Sequence, residues 1–94
     1  MPLSMDRIKN LASEIEQNLR DNNFNEYADG IHLSIMKLDR KETILEGLSE
    51  IESACHIKAY GDLYLETLSG WEWPNKVSKL GSMCRNKKKG VPGA

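Results

Sequence analysis

The chain has little of what an enzyme, a membrane protein or a disulfide scaffold requires. Among 94 residues there are two cysteines, two histidines, three prolines and six aromatic side chains. Cys55 and Cys84 are too few for a disulfide framework and fall on apolar helical stripes, so they read as buried free thiols. With His32 and His56 they would complete a four-ligand zinc set, yet no C-x-x-C or H-x-x-x-H pair is present and no metal is expected. Both histidines read as surface or boundary residues. No apolar run approaches the roughly 20 residues of a membrane-spanning helix. The opening Met1-Pro2-Leu3-Ser4-Met5 lacks the basic start and long apolar segment of a signal peptide, and Met5 followed by Asp6 reads equally well as a natural start. A soluble, cytoplasmic protein is therefore expected. G-x-S-x-G, H-E-x-x-H and phosphate-cradling glycine loops are all missing, so the expectation is no enzyme and no cofactor.

What the chain does have suits helices. Hydrophobic residues make up 39% of it, enough for one modest core, with Leu, Ile, Glu, Lys, Asn and Ser in excess over β-branched and aromatic types. Ile8, Leu11, Ala12, Ile15 and Leu19 recur at helical spacing and predict a first helix over 5–22, with Ser4 as its N-cap. A second is predicted over 24–38, capped by Asn23 and Glu26, with Phe24, Tyr27, Ala28, Ile31, Ile35 and Leu38 inward and Leu33 and Met36 widening the stripe. Gly30 in its interior suggests a close helix crossing. Asp39 and Glu42 repeat the capping spacing, so a third helix should start at Arg40 and bury Ile44, Leu45, Leu48, Ile51 and Cys55. A fourth is predicted over 60–69 from Leu63, Tyr64, Leu65 and Leu68, with Gly70 as its left-handed terminus. A fifth should begin near Pro74 and use Val77, Leu80, Met83 and Cys84. The expected fold is all-α, a bundle of four to five short helices built from antiparallel hairpins: one domain over 1–86 and a disordered basic tail over 87–94. An echo between the first and third stripes, at an offset of 36, is what any two amphipathic helices ten turns apart produce at about 3.6 residues per turn.

The net charge of −1 conceals an asymmetry. All 14 acidic residues lie at or before Glu72, against seven basic ones, for a net −7; from Trp73 onward there are six basic residues and no acid. Such asymmetry speaks to partners rather than to fold. Asp39, Glu42, Glu46 and Glu50 are spaced to line one face of the third helix, with no cation interleaved after Lys41. They form a solvated outer face or a docking surface for a basic partner, such as the phosphate-binding cleft of a nuclease toxin. Trp71 and Trp73 sit on a short connection and cannot easily both be buried. One should plug the core, and the other becomes a candidate interface anchor. Arg85, Lys87, Lys88 and Lys89 form a short basic segment able to contact nucleic acid without sequence preference, or simply a solubilising end.

Asp6-Arg7-Ile8-Lys9-Asn10-Leu11 resembles the start of small bacterial immunity proteins of the Maf and contact-dependent-inhibition type. Tyr60-Gly61-Asp62-Leu63-Tyr64-Leu65-Glu66-Thr67-Leu68, followed by Pro74 and the run Val77 to Met83, is similar to a later part of them; the region from Phe24 to Cys55 lies outside the resemblance. The resemblance implies a compact, helical, cytosolic protein that neutralises a cognate toxin. The expected function is thus a non-catalytic protein-binding inhibitor that occludes a partner's functional surface through Asp39, Glu42, Glu46, Glu50 and one tryptophan. A small nucleic-acid-associated regulator using the basic segment, or a homodimeric adaptor, stands as the alternative.

Overall fold

The computed structural model describes residues 2–55, 60 and 63–90, with side chains from residue 5 onward. Four helices are present among them: α1 (Pro2–Asp21), α2 (Asn25–Lys37), α3 (Ile44–Ala54) and α4 (Glu72–Lys89). Each packs on the next and α4 returns to α1, closing an all-α bundle. No helix among the described residues is long and apolar enough to cross a membrane.

The helical stripes become the core. Ile8, Ala12, Ile15 and Leu19 of α1 meet Ala28, Ile31 and Leu38 from the second hairpin arm, Leu48 and Ile51 of α3, and Val77, Leu80 and Cys84 of α4. Apolar side chains three and four residues apart share a helix face, and four such faces turned inward remove each other from water. Leu33 and Met36, expected to widen the α2 stripe, instead stand 60% and 56% exposed. They project from the side of α2 away from Ala28 and Ile31, where no other helix covers them.

The helix ends depart from the expected caps. Ser4 lies inside the first turn of α1, because the helix already begins at Pro2, a residue suited to that position. Asn23 does not cap α2 but closes α1: it takes φ = 68°, and its N–H donates to the Arg20 carbonyl at 3.1 Å while the Phe24 N–H donates to Leu19 at 2.8 Å. This paired 5→2 and 6→1 pattern satisfies the last carbonyls of a helix, and Asn tolerates the left-handed conformation it needs. The N-cap of α2 is Phe24, with no side-chain bond.

The third helix starts at Ile44, not Arg40. Thr43 Oγ1 donates to the Lys37 carbonyl at 2.8 Å, so this hydroxyl closes the end of α2 rather than the start of α3. Residues 38–43 are consumed in turning the chain, and Asp39 is drawn to Lys9 of α1.

Among the described residues of 60–69, Tyr60 has 3-10 geometry and 63–69 form no α-helix, which corrects the expected fourth element. The Leu63 N–H donates to the Tyr60 carbonyl at 3.1 Å, and the Leu68 N–H to the Leu65 carbonyl at 3.2 Å closes a turn. Across the bundle, Asn22 Nδ2 donates to Thr67 Oγ1 at 2.8 Å, and Leu65 is buried. A segment this short has little helical stability alone, so contacts with the bundle decide its path. Gly70 accordingly terminates no helix and has no left-handed φ.

Two glycines exchange roles. Gly30 has open space around it, and a cleft of about 340 Å³ lies beside it. The close crossing is at Gly47, where a Cβ would lie 2.8 Å from the Ser34 carbonyl oxygen and 3.0 Å from Lys37 Cβ. Finally, Asn86–Lys89 is the last turn of α4 and not a disordered tail. Its lysines sit at the negative end of the helix dipole, and Lys88 is paired to Glu52 of α3 at 2.6 Å. Residues 91–94 lie outside the described part.

Candidate functional site

The four acidic residues do not share one helical face. Glu46 and Glu50 belong to α3, whereas Asp39 and Glu42 lie on the preceding turn. Relief of their repulsion comes from another helix: Lys37 Nζ, in the last turn of α2, stands 2.7 Å from Glu46 Oε2 and 2.6 Å from Glu50 Oε2. Ser34 Oγ donates to Glu50 Oε1 at 2.8 Å. Lys37 chiefly, and Ser34 after it, hold the Glu50 carboxyl below the usual carboxylate range, and Glu46 and Glu50 in turn raise Lys37. Glu42 is exposed and has no ion pair among the described residues. The acidic edge is therefore weaker than four free carboxylates, with Glu42 and the outer side of Glu46 its most available charges.

The tryptophans divide as two residues on one helix start must. Trp73 is 2% exposed, and its indole Nε1 donates to the Tyr60 carbonyl at 2.7 Å. Its ring continues a row of aromatics, with centroids 6.3 Å from Tyr60 to Trp73, 5.8 Å from Tyr27 to Tyr60 and 6.1 Å from Phe24 to Tyr27. The Tyr60 hydroxyl donates to the Tyr27 carbonyl at 3.1 Å. Trp71, at the N-cap of α4, points outward and is 71% exposed. Tyr64, on the same connection, is 74% exposed. Reading 60–69 as a helix placed Tyr64 on an apolar stripe; the alternation of half-buried Leu63, exposed Tyr64 and buried Leu65 is the two-residue period that would have found it.

In the basic segment, Arg85 Nε lies 3.2 Å and Lys88 Nζ 2.6 Å from the Glu52 carboxylate, which leaves Lys87 and Lys89 outside ion pairs among the described residues. Lys88 first, and Arg85 with it, hold Glu52 below the usual carboxylate range. Cys55 and Cys84 are buried free thiols, each pushed up to about 12 by desolvation, which disfavours the reactive thiolate. His32 is exposed, with Nδ1 3.2 Å from Glu16 Oε1; His56 lies outside the described residues. No group of three or more His, Cys, Asp or Glu among the described residues is placed to hold a metal ion.

Comparison of the chain with models of known protein families, with curated proteins and with solved structures found no match.

Proposed function

We propose that this chain is a non-catalytic protein-binding inhibitor, of the kind represented by cytoplasmic immunity proteins, which neutralises a partner by covering its functional surface. The observation that carries the reading is the pair Tyr64 and Trp71. Two large aromatic side chains on one connection are left about three-quarters exposed, while Trp73, two residues from Trp71, is enclosed. Exposing Trp and Tyr forgoes burial worth roughly 2 kcal/mol or more each, and these residue types dominate the energetics of protein interfaces. Glu42, Glu46 and Asp39 supply a negative edge suited to steering a basic partner, with Glu50 held inward by Ser34 and Lys37. The resemblance of Asp6 to Leu11 to immunity proteins supports the same direction. Nucleic-acid binding through the basic segment ranks second, because Arg85 and Lys88 are already engaged with Glu52.

The test is affinity capture from the native host followed by binding kinetics on the captured protein. Trp71→Ala should speed dissociation by an amount equivalent to about 2 kcal/mol. Glu42→Lys with Glu46→Lys should slow association and reduce its salt dependence. Association and dissociation unaffected by either change would rule out this surface as the inhibitory one.

A further inference from the structure

On the opposite chemistry to the acidic edge, α1 and α4 diverge into a groove. One part, of about 310 Å³, is lined by Arg7, Ile8, Lys79, Met83, Asn86 and Lys87, and also reaches Gly90. A second part, of about 230 Å³, shares Arg7, Lys79 and Met83 with it and continues past Asn10 and Leu11 to Glu14. Outside the groove six cations are paired: Lys9 with Asp39, Arg20 with Glu16 and Asp29, Lys37 with Glu46 and Glu50, Lys76 with Glu14, and Arg85 and Lys88 with Glu52. Arg40, Lys41 and Lys89 have no ion pair with any described residue but line neither part of the groove. Arg7, Lys79 and Lys87 make no ion pair with any described residue. The one carboxylate among the described lining residues, Glu14, is held by Lys76 at 2.6 Å. Three cations without an ion pair among the described residues therefore stand around an apolar floor of Leu11 and Met83, backed by the buried Ile8, in a chain whose overall charge is negative.

We propose that this groove docks an acidic, amphipathic segment of a partner protein, with carboxylates meeting Arg7, Lys79 and Lys87 and an apolar side chain seated on Leu11 and Met83. Charge complementarity selects an anionic occupant. The floor selects a peptide over a phosphodiester chain: no aromatic lines the groove for a base to stack on, and nucleic-acid sites of low specificity rely on such platforms. Met83 suits it further, because the flexible thioether accommodates different apolar side chains. From Arg7 to Glu14 the α1 wall runs ~10 Å at about 1.5 Å per residue, which matches roughly three residues of an extended segment at about 3.3 Å each. The site is independent of Trp71, Tyr64 and the acidic edge.

The experiment uses the full chain and fluorescein-labelled peptides, read by anisotropy. The probe is a repeated Glu-Glu-Leu-Leu peptide; the controls replace Glu by Lys or Leu by Ser. Oligothymidylate and phosphatidylglycerol vesicles are the competing anions. The acidic amphipathic peptide alone should bind, and Arg7→Glu with Lys79→Glu should weaken it by about tenfold or more. Met83→Gln should weaken it as well, whereas Lys41→Glu, outside the groove, should not. Amide chemical shifts should move at Arg7, Lys79 and Met83. No binding of the acidic peptide, equal binding of the Ser-substituted one, or binding only of oligothymidylate or vesicles would each overturn the proposal. Retention of affinity in the folded double charge reversal would do the same.

Discussion

Gly47 of α3 lies against the main chain of Ser34 in α2, so close that a methyl group on its Cα would stand 2.8 Å from the Ser34 carbonyl oxygen. The obstacle is backbone and cannot rotate away. Gly47→Ala should therefore separate the two helices and cost roughly 1–3 kcal/mol. Gly30→Ala, also within a helix but facing open space, should raise stability by about 0.5–1 kcal/mol through the unfolded chain's lost freedom. Thermal or denaturant unfolding of the two variants checks both signs. Equal effects would show that the α2–α3 crossing is looser than described.

Trp73 and Trp71 should behave as opposites. Trp73→Ala removes a buried indole and its bond to the Tyr60 carbonyl, at a cost of roughly 3–5 kcal/mol. Trp73→Phe keeps most of the apolar volume but leaves the Tyr60 carbonyl with the Leu63 N–H as its remaining donor, for about 1 kcal/mol. Trp71→Ala should change stability by no more than about 0.5 kcal/mol. In Trp71→Phe, the remaining fluorescence should be blue-shifted and shielded from iodide.

Buried thiols predict slow chemistry. With Cys55 and Cys84 pushed up to about 12, the thiolate fraction near pH 8 is on the order of 10⁻⁴, before burial restricts access. Native protein should react with a disulfide reagent far more slowly than unfolded protein. Linkage has the corresponding sign. The folded state holds these protons more tightly than the unfolded one, so the stabilisation is complete below the ordinary 9.0 and drains away as pH rises towards about 12. Burial raises the Tyr60 hydroxyl in the same direction. Cys84→Ala should shift the alkaline unfolding limb upward in pH. An unchanged limb would assign it to another group.

On the acid side, Glu52 is held below its ordinary 4.5 by Lys88 and then Arg85, which tie α3 to the last turns of α4. A lowered folded value means stabilisation present above the ordinary value and lost as pH falls through the folded one. Glu52→Gln should lower the melting temperature at neutral pH and flatten its decline in acid. Native-state hydrogen exchange should show Asn86 to Lys89 opening more often in that variant.

The sequence by itself determined the four amphipathic faces and most of the core. Ile8, Ala12, Ile15, Leu19, Leu48, Ile51, Val77, Leu80 and Cys84 are all buried where their spacing put them, with Leu11 half-buried at the edge of its stripe. A period near 3.6 depends only on neighbours along the chain, so it survives without knowledge of the fold. It also narrowed the tryptophans to one inside and one outside. Tertiary structure alone decided which, because Trp73 needs the Tyr60 carbonyl, 13 positions away, to satisfy its indole N–H. The same holds for the remaining differences. Asn23 closes one helix instead of opening the next, Thr43 binds backward to Lys37, and 63–69 follows Asn22 and the buried Leu65 instead of coiling. Lys37 neutralises Glu46 and Glu50 from a neighbouring helix, which the spacing of acids along one helix cannot reveal. Chain reversals, ion pairs and close crossings each rest on groups distant in sequence. Their energies of about 1 kcal/mol exceed the local preferences of a few tenths that a linear reading can weigh.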